Sequence, residues 1–281
     1  MSSVREFVAL LDVDPVTPGR FTGRSDAGNR GVIDGSQVLG QSLVAAAKTA
    51  PGYSVRSAHT TFLRTIAADV ELDFDVELRH AGRLLAFAEV VCHQGERVCV
   101  RTNVMLDHSQ PDLVRHAAPM VGDGPAAARV IDMPMDGREL RLDGIDDENS
   151  PDEFGPPQIR AWLHYDEIPD RDEVRKALVA HFTGHLGIST TLRAHRGVGT
   201  ADSHKTISTA PLTIAVAFHE PFGWDGWLLY DHQSTYVGSG MSFVRGEVFT
   251  EAGQLITSFS QEAMIRGLTP EELQIAESQR L

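Results

Sequence analysis

This sequence repeats its own plan. A helix-like stretch followed by β-rich runs occurs between Gly35 and Leu106 and again between Asp170 and Ile265, around a middle rich in Pro, Asp and Gly. Landmarks recur at nearly one spacing: Phe62 and Phe218 are 156 apart (218 − 62), Gly95 and Gly253 158 apart (253 − 95). A near-constant offset with the same element order marks an internal duplication. The fold must therefore accommodate two copies of one helix-then-sheet unit.

In the first copy the helical stretch runs from Gly35 through Ala47 and is stopped by Pro51-Gly52. Leu39, Leu43, Ala46 and Ala50 share a face, and the flanks are mostly small, so a sheet can enclose this helix closely. Four β-rich runs follow, Tyr53–Leu63, Val70–Arg79, Leu84–His93 and Arg97–Leu106. The run from Val70 to Leu78 alternates apolar and acidic residues, as an antiparallel strand with one wet face requires. His80-Ala81-Gly82-Arg83 and Gln94-Gly95-Glu96 supply turns.

In the second copy Asp170 with Glu173 three residues on reads as a capping box, opening a helix through Ala177, Leu178, Phe182 and His185 towards Gly187. Strands are expected at Thr206–Ala210, Leu212–Phe218, Trp227–Tyr236, Met241–Phe249 and Leu255–Ile265. Between the copies seven prolines fall from Pro111 to Pro157, and Glu139-Leu140-Arg141-Leu142 is the one strand-like run. A connection this long divides a chain into units. We read 1–107 as the N-terminal unit, 108–157 as a connector and 158–281 as the C-terminal unit with the active site. A helix followed by an antiparallel meander is the hotdog plan, so the fold class is α+β, a double hotdog.

Composition narrows the function. With 42% hydrophobic residues, the 281-residue chain can build a substantial core. A formal net charge of −14 argues against a non-specific grip on nucleic acid, which needs clustered Lys and Arg. It does not forbid an anionic ligand, since a few local arginines suffice for phosphates. The acidic block from Asp143 to Glu153 reads as a solvated connector. No apolar run approaches the roughly 20 residues that span a bilayer, and the first residues lack the layout of a signal peptide. The expected location is the cytoplasm. There Cys92 and Cys99, on either side of a turn, are read as buried thiols.

Three ordered blocks carry the functional signal. They are Phe218-His219-Glu220-Pro221-Phe222 leading to Trp227-Leu228-Leu229-Tyr230 and Gln233-Ser234-Thr235; Phe243-Val244-Arg245-Gly246-Glu247; and Ser260-Gln261-Glu262 through Arg266. Together they resemble the C-terminal half of type II acyl-CoA thioesterases, the TesB-like double hotdog enzymes. The first half is similar through Gly35–Gln41 and His59–Arg64. The resemblance implies hydrolysis of a fatty or other acyl-CoA by water, no metal or redox cofactor, and a homodimer or larger oligomer.

In that family an Asp, a Thr and a Gln aim water at the thioester. The resemblance carries the threonine to Thr235 and the glutamine to Gln261. The aspartate falls on Thr213, whose hydroxyl is no carboxylate base near neutral pH. General-base assistance is worth about 10²–10⁴-fold, so the departure is serious. Among substitutes, Asp231 shares strand parity with Thr235 but lies about 13 Å away along a strand. Glu262 faces away from Gln261. Asp34, just before the first helix, is the better placed, but its expected role is the N-cap, and none of the three stands out as a substitute. Arg64 and Arg245 are candidates for holding CoA phosphates.

Other motifs carry less. His181 and His185 have metal-compatible i, i+4 spacing, but Phe182 stands where a zincin has its Glu, so both read as structural. Val237-Gly238-Ser239-Gly240 is no nucleophile elbow and Arg196-Gly197-Val198-Gly199-Thr200 no P-loop. Trp224 and Trp227 read as core or subunit-contact residues. Two rivals to the thioesterase are weighed: an acyl-CoA-binding protein with little catalysis, and a hotdog enoyl-CoA hydratase, which wants an Asp/His pair at a helix start that neither half shows in sequence.

Overall fold

The computed structural model describes residues 3–26, 33–68, 70–132, 135–269 and 271–272. Its elements are α1 (Val4–Leu11), β1 (Asp14–Thr17), β2 (Arg20–Gly23), α2 (Gly35–Thr49), β3 (Ser54–Phe62), β4 (Leu72–Ala81), β5 (Leu85–Gln94) and β6 (Arg97–Asp107). These are followed by β7 (Arg129–Ile131), β8 (Arg138–Leu142), β9 (Gln158–Tyr165), α3 (Asp172–Thr183), α4 (Gly187–Leu192), β10 (Ile207–Phe218), β11 (Leu228–Gly238), β12 (Met241–Thr250) and β13 (Leu255–Gly267).

All strands join one antiparallel sheet in the order β1-β2-β4-β5-β6-β3-β10-β13-β12-β11-β9-β8-β7. The duplication is visible in that order. The run β2-β4-β5-β6-β3 in one half is matched by β9-β11-β12-β13-β10 in the other. The halves meet where β3 pairs with β10, Thr61 opposite Thr213 and Ser57 opposite Ala217. Each half is a helix laid on a strongly alternating sheet, and the chain is a double hotdog. In β10, Ile214, Val216 and Phe218 are buried while Thr213, Ala215 and Ala217 lie on the more open face. The small-residue helix α2 is buried from Ser36 to Ala46, and Gly40 lies against Ala177 of α3.

Four expectations need correction. The helix α3 begins at Asp172 after Arg171, whose side chain makes no capping bond. Asp172 is held instead by Ser54 of the other half and by Lys176 one turn along its own helix. The same helix does not run on to Gly187: it stops at Gly184 and a separate short helix, α4, follows. The strands expected on either side of Pro211 are one strand, β10, with a bulge between Pro211 and Thr213 in its pairing with β13. Proline there costs no pairing to β3, whose ladder starts at Thr213. The connector holds two strands, β7 and β8, and they extend the sheet beyond β9. Both cysteines are free and buried. Trp224 is buried and Trp227 half-buried beneath the Arg141 guanidinium. Among the described residues no helix is long and apolar enough to cross a membrane.

Candidate active site

Strand alternation sorts the residues singled out by the sequence. Ser234, Val244, Gln261 and Ile214 form one cross-strand row, and all four are buried on the helix-facing side. The adjacent row, Tyr236, Phe243, Glu262 and Thr213, faces the other way. Gln261 therefore points at the helices, while Thr213 points outward and donates to Glu262 Oε2 at 2.9 Å. Thr235 sits at a bulge between Ser234 and Tyr236, exposed, with its hydroxyl at the Phe243 carbonyl. The hydroxyl that does face inward on this strand is that of Ser234, bonded to Thr191 of α4 at 3.0 Å. Thr213 and Thr235 do not converge with Gln261, because a period of two puts them on the opposite face of the sheet.

Gln261 instead meets the break between α3 and α4. Its Nε2 donates to the Gly184 carbonyl at 3.4 Å, and among the described residues its Oε1, though buried, accepts no hydrogen bond. A Cβ on residue 187 would lie 1.7 Å from that oxygen, so only glycine leaves room for the amide. Gly184 plays a similar part towards the other half, since a Cβ there would stand 2.8 Å from the Ser36 Cβ. The two glycines thus let β13, the α3–α4 break and the start of α2 close on one point.

At the start of α2 the Asp34 side chain caps the helix. Its Oδ1 accepts from the Ser36 N–H at 2.9 Å and the Ser36 hydroxyl at 2.6 Å. Its Oδ2 stands 3.6 Å from His185 Nε2. His185 Nδ1 lies 3.1 Å from the His181 carbonyl, an acceptor only, which assigns the proton on that nitrogen. Asp34, His181 and His185 each offer one ligand-capable atom, all within 4.8 Å of one another. Burial would raise the Asp34 pKa, but His185, His181 and the Ser36 bonds outweigh it and hold it at about 2. The Asp34 side chain keeps 30% of its surface open even though protein surrounds it at longer range, so water can reach it. Burial, then the charge of His185, pushes the His181 pKa well below its ordinary value.

The sequence passed over Ser36, Gly184 and Gly187. Two glycines three apart inside a helical run were the available signal for a break. Among the described residues the arrangement occurs once. The duplication maps Ile214 onto Ala58, and the residue paired with Ala58 in β6 is Val104, where β13 has Gln261. Near the corresponding start of α3, Lys176 is buried against Ser54, the Val55 carbonyl and Asp172.

Beneath this site His232 is fully buried beside the Phe259 ring. Among the described residues neither ring nitrogen has a partner at hydrogen-bond geometry, although the nearby Tyr230 and Ile159 backbone favours the proton slightly. Burial lowers its pKa from 6.5 to about 4. The unfolded chain then takes up a proton that the folded chain refuses, so stability falls as pH drops from 6.5 to about 4. The loss expected from this residue is about 3 kcal/mol. Urea unfolding midpoints at pH 7 and 4.5 should separate more in the native protein than in His232→Gln; equal separations would refute the assignment.

Comparison with known proteins agrees with this architecture. Residues 24–106 match the family described as acyl-CoA thioesterase N-terminal domain, and residues 111–265 match acyl-CoA thioesterase C-terminal domain. The chain is 24% identical to acyl-CoA thioesterase 2 of Haemophilus influenzae, covering 94% of this chain and 98% of that protein. It is 23% identical to human acyl-coenzyme A thioesterase 8, over 92% of this chain and 88% of the relative. A solved tesB protein from Mycobacterium avium subsp. paratuberculosis superposes with a TM-score of 0.80 at 23% identity, over 94% of this chain and all of that one (100%). The acyl-CoA thioesterase II TesB2 from Mycobacterium marinum gives 0.78 at 24% identity, over 94% and 98%. At these identities the two structures speak to the fold.

Proposed function

Since the chain belongs to the acyl-CoA thioesterase family, we propose that it hydrolyses acyl-CoA thioesters to the free acid and CoA by direct attack of water. One observation supports placing the reaction at the α3–α4 break. Gln261, the glutamine marked by the family resemblance, is buried there with an unpartnered oxygen beside Gly187. Its amide can accept from a water and donate to a polarised oxygen. Thr213 and Thr235, on the far face, have no part in this reading.

For the CoA phosphates the better of the two arginines is Arg64. It is exposed on the segment after β3, where the Ile66 carbonyl accepts from Ile33 N–H, one residue before Asp34. Arg245 lies on the opposite face, tied to Gln233. In this reading 1–107 and 158–281 act as two units with 108–157 joining them. The exposed face bearing Phe87, Tyr236 and Phe243 supports self-association into a homodimer or larger oligomer, and the proposed location is the cytoplasm.

A thiol-release assay over acyl-CoAs of varied chain length tests the proposal. Turnover of at least one is expected. Binding of acyl-CoA in titrations with no thiol released from any of them would make this an acyl-CoA-binding protein and sink the hydrolase.

A further inference from the structure

The two copies differ in the stretch between helix and sheet. The starts of α2 and α3 are 137 residues apart (172 − 35), but the ends of β3 and β10, Phe62 and Phe218, are 156 apart (218 − 62). The second copy therefore spends 19 more residues (156 − 137) from helix start to strand end, and α4 lies within them. This added element sits against the buried row that holds Gln261. We propose that Thr191 of α4 is a positioning residue that keeps the Gln261 amide in its reactive place; this rests on the thioesterase reading above.

Ser234 and Gln261 share a cross-strand row with Val244 of β12 between them, so about 10 Å of sheet separates the two. Helix α4 bridges that span. Towards its end the buried Thr191 hydroxyl lies 3.0 Å from Ser234 Oγ and 3.1 Å from the Gly187 carbonyl, sharing one proton between the two acceptors. At the start of α4, Gly187 is packed directly against the Gln261 amide oxygen. One side chain thus ties the first residue of α4 to β11. Its neighbour Thr190 bonds only back to the Leu186 carbonyl, so Thr191 is the hydroxyl that reaches the sheet.

The Gln261 amide depends on that tie. Among the described residues its side chain makes one hydrogen bond, to the Gly184 carbonyl at 3.4 Å, which is longer than a good N–H···O bond. The walls around the amide therefore do most of the orienting, and Gly187 is one of them. With six residues, α4 is well below the roughly 12 at which an isolated helix becomes even marginally stable. Its position comes from its anchors. Without the Thr191 hydroxyl, α4 is free to shift over β11, and Gly187 no longer fixes the amide. A misplacement of about 1 Å at a reacting centre costs on the order of 10²-fold in rate.

The test is steady-state kinetics of Thr191→Val and Thr191→Ser, and of Thr191→Val combined with Gln261→Ala, on the acyl-CoA that wild type hydrolyses best. Valine keeps the branched shape of threonine and removes the hydroxyl. Thr191→Val should lower kcat about 10–10²-fold with KM nearly unchanged. Thr191→Ser, which keeps the hydroxyl, should recover most of that loss. In the Gln261→Ala background Thr191→Val should cost less than about threefold, because the group it positions is gone. If urea unfolding shows Thr191→Val to be unfolded, Ser234→Ala removes the same tie from the sheet side and carries the same two expectations. Three results overturn the positioning role and leave the thioesterase standing. They are a kcat above half of wild type in the tested variant, an equal loss with and without the Gln261 amide, or a Thr191→Ser as slow as Thr191→Val. A wild type that binds acyl-CoA without turnover overturns both.

Discussion

Gln261→Ala is expected to lower kcat for thioester hydrolysis by about 10²–10³-fold, the usual cost of removing one preorganised polar group from a reaction centre. The amide is fixed before substrate arrives. It is 2% exposed, bonded to the Gly184 carbonyl, and fitted into the space left by the missing Gly187 side chain. Alanine removes the group without replacing its hydrogen bonds. Gly187→Ala should act in the same direction, because the new methyl must displace the amide oxygen. Thr213→Ala and Thr235→Ala, on the other face, should stay within about twofold of wild type. Kinetics of these four variants on one acyl-CoA decide the matter. A near-native kcat in Gln261→Ala, or a deep loss in either threonine variant, would move the reaction elsewhere.

The largest loss of stability is expected from Phe182→Ala, about 3–5 kcal/mol in chemical denaturation. Phe182 is fully buried on α3. Its ring stacks on His185 at 5.0 Å and meets Tyr230 edge-on at 4.9 Å. Tyr230 in turn donates its hydroxyl to the Val179 carbonyl, tying strand to helix. Truncation leaves a void between helix and sheet that neither rigid neighbour can fill. It also removes the ring on which His185 stacks. A loss below about 1 kcal/mol would mean that α3 settles onto the sheet and closes the void.

Much of this molecule was legible as sequence. The alternation of Val70–Leu78 became β4, and the small-residue run from Gly35 became the enclosed helix α2, close to the expected bounds. Period and turn chemistry are local properties, readable residue by residue. The helix break at Gly184–Leu186 was harder to see. Its cause is not local: Ser36 and Gln261 crowd the chain there from two other elements. The capping box at Asp170 did not form: the helix opens two residues later at Asp172, whose carboxylate accepts from Ser54 across the half-to-half contact.

The candidate site divides in the same way. Gln261 was singled out through the family blocks and lies buried at the α3–α4 break, and Asp34 was noted as a substitute carboxylate with an expected N-cap role. Thr213 and Thr235 were placed beside Gln261 by position in those blocks. Alternation along β10, β11 and β13 turns them to the outer face. That Asp34 Oδ2 stands 3.6 Å from His185 Nε2 could not be read from residues 151 positions apart (185 − 34) in different copies of the repeat. By itself the sequence determined the duplicated helix-and-sheet plan, because patterning decides which face of each element is apolar. Only the tertiary structure decided which polar groups meet. That depends on the antiparallel approach of α2 and α3 across the β3–β10 seam, a long-range packing result that no local pattern encodes.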